Sequence, residues 1–250
     1  MTSFVGTSTK MNLTSTEAGG YLETLVPLVA DVTEREVFVL LPFTSIWIAR
    51  QCLSGTAVRW GAQDVHPADG GAHTGDVSAP MLADLGCAYV EVGHHERRRD
   101  YGETDELIAT KVAAAQRWGM TAILCVGEPE RLPFDRVVEV IGAQLSAIRA
   151  ADPRRSIVAY EPSWAIGVGA SPASPTWVGD VHSAIRRRLE AASPGGATVP
   201  IIYGGSVSLE SAPSLLAQPA TDGLFVGRHA LDPRVLAAIA HLEPALDPDA

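Results

Sequence analysis

Residues 104–126 read Thr104-Asp105-Glu106-Leu107-Ile108-Ala109-Thr110-Lys111-Val112-Ala113-Ala114-Ala115-Gln116-Arg117-Trp118-Gly119-Met120-Thr121-Ala122-Ile123-Leu124-Cys125-Val126. Thr104 offers a hydroxyl to the free N–H groups of a first helical turn, and Asp105-Glu106 set negative charge against its positive end. Gly119 suits the left-handed stop after the last turn. Ala122–Val126 then runs apolar on both faces, as a parallel strand does when both sides are covered. Helix followed by buried strand is the repeating step of a βα chain.

The step recurs along the whole sequence. Strands are predicted at Phe4–Thr7, Val37–Leu41, Val58–Ala62, Tyr89–Val92, Ala122–Val126, Ile157–Tyr160, Val199–Tyr203 and Gly223–Val226. Helices are predicted near Thr16–Asp31, Thr44–Leu53, Ala79–Leu85, Asp105–Trp118, Pro133–Ala150, Pro175–Ala192, Leu209–Ala217 and Pro233–Leu242. Pro133, Pro175 and Pro233 fit first turns, where a missing N–H costs little; Gly86 fits another left-handed stop. Eight units leave no place for a second domain, so residues 1–250 are expected to form one α/β unit with a loose tail at 246–250. An open doubly wound sheet would usually carry GxGxxG in its first turn, which Gly6-Thr7-Ser8-Thr9-Lys10 lacks. The expectation is a closed (β/α)8 barrel, in which the loops after all strands share one mouth.

Composition narrows the function. A net charge of −10 argues against nucleic-acid binding, which needs a basic stripe; Arg97-Arg98-Arg99 is too short to reverse it. Cys52, Cys87 and Cys125 show no CxxC spacing, and Cys125 lies in an apolar run, so reduced thiols and a cytoplasmic location are expected. The N-terminus has no signal pattern, and no apolar run nears the ~20 residues that cross a bilayer, so no membrane partner is expected.

The mouth gathers distant residues. Strand 1 delivers Ser8 and Lys10, and strand 4 ends in Gly93-His94-His95-Glu96-Arg97. Strand 6 ends in Glu161 and the segment Pro162-Ser163-Trp164-Ala165-Ile166-Gly167-Val168-Gly169, while strands 7 and 8 end in Gly204-Gly205-Ser206 and Gly227-Arg228. Singly, each has an ordinary reading: a solvated lysine, a strand-end histidine, a capping glutamate, turn glycines. Together they suit enolisation of a small sugar phosphate. A carbon acid beside a carbonyl is weak, so a carboxylate base such as Glu161 gains from desolvation. His94 and Lys10 could stabilise the enediolate oxygen. The glycine-rich turns offer N–H groups to a phosphate. Residues 162–169 read as a lid in which Trp164 and Ile166 exclude water and Gly167 and Gly169 permit hinge motion. As a metal pair His94-His95 is disfavoured, since neighbours on an extended chain point apart. Asp64, His66 and His73 read better as part of a polar loop, Asp64–Asp76, than as ligands.

The sequence resembles the triosephosphate isomerase family, a TIM-barrel family, over nearly its whole length. The resemblance rests on Lys10-Met11-Asn12, Gly61-Ala62-Gln63, Gly93-His94, Glu96-Arg97-Arg98, Tyr101-Gly102-Glu103, Cys125-Val126-Gly127-Glu128, Tyr160-Glu161-Pro162, Trp164-Ala165-Ile166-Gly167 and Tyr203-Gly204-Gly205-Ser206-Val207. It implies Glu161 as base, His94 as electrophile, Lys10 as electrostatic clamp and Glu96 as supporting acid. It also implies phosphate contacts from backbone groups of Gly167, Ser206, Gly227 and Arg228. A homodimer is implied as well, with loop 64–76 placing Thr74 beside Lys10 and His94 of the other copy, and neither cofactor nor metal.

The departures fall at the substrate. Ser8-Thr9-Lys10 stands where the family has Asn-Trp-Lys, and the shorter Ser8 leaves room at the reacting end. His95 stands where serine is usual, Arg228 replaces a glycine, and Val168-Gly169-Ala170-Ser171-Pro172 lacks the customary lysine. The Ser-x-Lys start and Gly-Arg loop resemble a branch acting on four-carbon erythrulose phosphates, the favoured expectation. An ordinary triosephosphate isomerase is the alternative, and a catalytically idle sugar-phosphate-binding barrel ranks below both.

Overall fold

The computed structural model describes residues 3–167, 169 and 172–243; the expected loose tail at 246–250, and Val168, Ala170 and Ser171 of the lid, lie outside them. The strands are β1 Ser3–Ser8, β2 Arg35–Leu41, β3 Arg59–Ala62, β4 Tyr89–Val92, β5 Thr121–Val126, β6 Ser156–Tyr160, β7 Ile201–Tyr203 and β8 Gly223–Val226. Each pairs in parallel with its neighbours in sequence, and β1 pairs with β8 from Phe4↔Gly223 to Thr7↔Val226. That last pairing closes the barrel and removes the open-sheet alternative.

Helices α1 Ser15–Leu28, α2 Ile46–Leu53, α3 Ala79–Asp84, α4 His95–Tyr101, α5 Asp105–Arg117, α6 Phe134–Gln144, α7 Pro175–Ala192, α8 Ala212–Leu216 and α9 Pro233–Ala240 connect them. Thr104 caps α5 through the Leu107 N–H, and Gly86 and Gly119 adopt φ of 78° and 79°, the left-handed stops expected of them. Several element ends shift by a few residues from expectation, as at α1, which stops at Leu28, and three of the departures have local causes. Helix α4 lies in what reads as loop, begun by the His94 imidazole accepting from Glu96 N–H and ended by left-handed Gly102. Helix α8 starts three residues late, because the Ser208 and Ser211 hydroxyls take each other's backbone N–H groups in a local turn. Helix α6 ends at Gln144 and tightens into a 3₁₀ turn over Leu145–Ile148. None of the helices among the described residues is long and apolar enough to cross a membrane.

Two cores result. The larger lies between strands and helices; the smaller fills the barrel with inward side chains including Phe4, Phe38, Tyr89, Ile123 and Phe225. Phe38 is central, its ring centroid 5.1 Å from Tyr89 and 5.7 Å from Phe225. A Cβ on Gly6 would stand 2.2 Å from the Phe38 ring, so glycine there is what admits the phenyl group. Burying such a ring contributes about 1.5–3 kcal/mol. The lumen is thus packed, and the strand ends above it hold the site.

A buried ion network braces one side. Lys111 Nζ lies 2.6 Å from both Asp64 Oδ1 and Glu103 Oε1, and Arg97 reaches Asp64 at 2.8 Å and Glu103 at 2.6 Å. It pins the root of the 64–76 loop to α4 and α5, and gives Asp64 a structural partner set.

Candidate active site at the barrel mouth

Lys10 leaves β1 with a left-handed backbone, φ 52°, which costs a non-glycine residue about 1–3 kcal/mol. Four hydrogen bonds hold the preceding residue and so hold Lys10: Asn12 Nδ2 donates to Thr9 O at 2.7 Å, Gln63 Nε2 to Thr9 Oγ1 at 3.2 Å, and Thr9 gives its N–H and its hydroxyl to Leu40 O at 3.0 and 3.4 Å. Lys10 Nζ then meets Glu96 Oε1 at 2.8 Å. Burial raises the Glu96 carboxyl, but the Lys10 ammonium outweighs it and leaves Glu96 below its ordinary range.

His94 has its tautomer set by the chain. Glu96 N–H donates to His94 Nδ1 at 3.2 Å, so the ring proton sits on Nε2, which faces Glu161 Oε2 at 3.6 Å. Burial, with Lys10 and the positive end of α4 nearby, disfavours an imidazolium and lowers the His94 pKa. The cleft therefore holds a neutral ring presenting one N–H. His95 contradicts the expectation that the two rings diverge: their centroids are 4.3 Å apart, because His95 begins a helix instead of continuing a strand. Both rings converge on one Glu161 oxygen.

Glu161 follows β6 and is 3% exposed. A Cβ on Gly204 would lie 2.8 Å from Glu161 Cγ, and one on Gly127 would lie 2.1 Å from Glu161 O, so glycine at both positions makes room for it. Burial opposes its charge, yet it faces His94, His95 and Lys10, and the net direction is downward. Glu161 is therefore a buried carboxylate favoured in its ionised form, the form a base needs.

A second buried carboxyl stands beside it, one that the sequence reading passed over inside an apolar strand. Glu91 projects from β4 into the lumen, 2% exposed. Ser8 Oγ donates to Glu91 Oε2 at 2.8 Å, and the Cys125 thiol faces Oε1 at 3.7 Å. Oxygens of Glu91 and Glu161 and the Cys125 sulfur lie within 4.8 Å of one another. Burial, then Glu161, push the Glu91 carboxyl up, while Glu161 is held down, so of the two Glu91 is the one that keeps a proton more tightly. The available signal was a charged residue at an inward position of an otherwise apolar strand.

The cleft has a volume of about 630 Å³, and its lining includes Ser8, Lys10, Glu91, His94, Glu96 and Glu161 together with Gly167, Gly204–Ser206, Gly227 and Arg228. Ser206 Oγ donates to Ala165 O at 2.6 Å, tying the lid's first turn to the β7 loop. Ile166 lines the cleft. Trp164 does not: its indole donates to Glu128 Oε1 at 2.7 Å and stacks under Arg131, so it anchors the lid from outside. Pro162 is buried at the lid's root, while Gly167 and Gly169 have φ of 118° and 77°, backbone that suits a hinge. Thr74 is exposed at the tip of its loop, away from the cleft lining of its own chain. Donor atoms of His66, His73 and Asp76 come together on that loop in place of the Asp64, His66 and His73 set.

Comparison with known proteins agrees with this geometry. The profile described as triosephosphate isomerase matches residues 3–243. A triosephosphate isomerase of Roseiflexus castenholzii is 43% identical over 239 residues, covering 93% of this chain and 94% of that one. An L-erythrulose-1-phosphate isomerase of Mesorhizobium japonicum is 41% identical over 234 residues, covering 91% of each. The crystal structure of triosephosphate isomerase from Bartonella henselae superposes with a TM-score of 0.87 at 32% identity, covering 96% of this chain and 98% of that one. On fold, site and sequence together, the chain belongs to the triosephosphate isomerase family of aldose–ketose isomerases.

Proposed function

We propose that this isomerase acts by preference on a tetrulose (erythrulose) phosphate, through an enediolate. Glu161 takes the proton from the carbon bearing hydroxyl, the electron pair moves to the neighbouring carbonyl oxygen, and His94 Nε2–H with Lys10 stabilises the charge there. Glu161 returns the proton to the former carbonyl carbon, while the proton of the other oxygen passes by way of the His94 imidazole to the former carbonyl oxygen. The carbonyl has moved one carbon, and nothing is gained or lost. A triose ketose would become an aldose by this route; a 1-phosphorylated tetrulose would become its 4-phosphorylated counterpart. Glu96 supports Lys10, and N–H groups of Gly167, Ser206, Gly227 and Arg228 take the phosphate.

The observation that carries the preference is the state of Ser8. It is shorter than the amide usual in the resembling family, and its hydroxyl turns to Glu91, which leaves space where the reacting carbon would carry a hydroxymethyl group. The test is kcat/KM on glyceraldehyde 3-phosphate, dihydroxyacetone phosphate and both enantiomers of erythrulose phosphate. A preference for one tetrulose supports the reading, and a preference for the trioses overturns it.

The second reading, an ordinary triosephosphate isomerase, draws support from the names of most relatives. Either reading includes a homodimer of single barrel units, with the loop bearing Thr74 reaching the cleft of a second copy. Sedimentation at micromolar concentration tests this, a monomer being the contrary result.

A further inference from the structure

A tetrulose phosphate differs from a triose phosphate by one hydroxymethyl group on the carbon that surrenders its proton, and a dry cleft must meet that hydroxyl with a partner. With Glu161 placed beside this carbon as the base, Glu91 offers a carboxyl with an oxygen within 4.8 Å of one of Glu161's. A substituent on the reacting carbon therefore falls within reach of Glu91. In the closed barrel β4, which carries Glu91, stands across the lumen from β8, whose following loop offers N–H groups to a phosphate, so the extra group and the phosphate do not compete.

The hydrogen bonding of Glu91 is unfinished. Ser8 fixes Oε2 at 2.8 Å, but Oε1 has a thiol at 3.7 Å, a weak donor. The apolar cluster that fills the lumen includes Phe38, Leu40, Tyr89, Ile123 and Phe225, so a carboxyl at an inward position of β4 is not what packing alone calls for. A carboxyl nine-tenths buried in such company is costly unless something completes it. In its protonated form it can both donate to and accept from an alcohol.

We infer that Glu91 is the specificity-determining residue of this cleft, hydrogen-bonding the terminal hydroxyl of the four-carbon substrate while Ser8 holds its carboxyl in place. The inference rests on the tetrulose reading of the site.

A site built to hydrogen-bond a hydroxyl discriminates by the groups left unpaired when either partner is missing. Replacing Glu91→Leu should lower the ratio of kcat/KM for the preferred erythrulose phosphate to that for dihydroxyacetone phosphate by about 100-fold. Glu91→Gln keeps a hydrogen-bonding end and should retain more of that ratio than Leu. Ser8→Ala, which leaves the carboxyl in place but unanchored, should lower the ratio by up to about 10-fold. Turnover of the triose in each variant reports an intact fold and an ionised Glu161. A ratio unchanged in Glu91→Leu and Ser8→Ala overturns the inference, and so does an equal fall for both substrates, which would mean that Glu91 acts only through Glu161. A wild-type enzyme that prefers the triose overturns the tetrulose reading itself; a wild type that prefers the tetrulose and keeps its ratio in Glu91→Leu overturns the inference alone.

Discussion

His95 Nδ1 stands 3.5 Å from Glu161 Oε2, the same oxygen that His94 Nε2 approaches at 3.6 Å. Burial would raise the Glu161 pKa, and the groups that reverse this are His94, His95 and Lys10. Removing one of them lets the carboxyl rise. His95→Ser should therefore move the acid limb of the kcat/KM profile to higher pH. An unmoved limb would detach His95 from the base.

Glu161→Gln keeps the shape of the side chain and removes the proton acceptor. Turnover should fall by about 10²–10⁴-fold. A variant with turnover near wild type would favour the idle-barrel reading.

The Lys111 network predicts a cost of another kind. Lys111→Met would leave Asp64 and Glu103 buried beside Arg97 alone. Breaking a buried pair from one side costs about 3–5 kcal/mol. Urea unfolding should show that loss; a change below about 1 kcal/mol would mean that the network is solvated.

The two buried glutamates should tilt stability in opposite directions. Glu161 is depressed to about 2 from the ordinary 4.5, so its contribution is present above pH 4.5 and lost as pH falls toward 2. Glu91 is raised from 4.5 to about 8, so its contribution is complete below pH 4.5 and lost as pH rises through 8. Unfolding free energies measured between pH 5 and 8 should decline less steeply in Glu91→Gln than in wild type. Parallel slopes would place the proton elsewhere.

Gly6→Ala should destabilise by about 1–3 kcal/mol, because the new methyl meets the Phe38 ring and both strands are held in register. Its test is thermal unfolding, and Phe38→Leu in the same chain should recover part of the loss.

Much of this was legible from residue order because its causes are local. The caps at Thr104, Gly86 and Gly119 depend on a few neighbouring atoms, and a parallel strand covered on both sides announces itself in a run such as Ala122–Val126. Lys10, His94 and Glu161 could be brought to one mouth from the barrel rule alone. What stayed hidden depends on partners far away in sequence. Glu91 reads as an interruption of Tyr89–Val92 until Ser8 and Cys125 are placed against it. Trp164 reads as a water shield until Glu128, 36 residues earlier, is found to hold its indole. Helix α4 was missed because its cap is an imidazole, a residue that local rules assign to chemistry before structure.

The Phe38 plug makes the cleft a dead end. A molecule that enters at the mouth has no passage through to the far side, so product must retreat along the path by which substrate arrived, and each turnover waits on that two-way traffic. The plug also limits how such a barrel can be retooled for a longer or shorter sugar. Below the ring, any altered side chain trades firmness for nothing the ligand can feel. The rungs just above it, with Ser8 and Glu91 among them, are where a change of diet can be written.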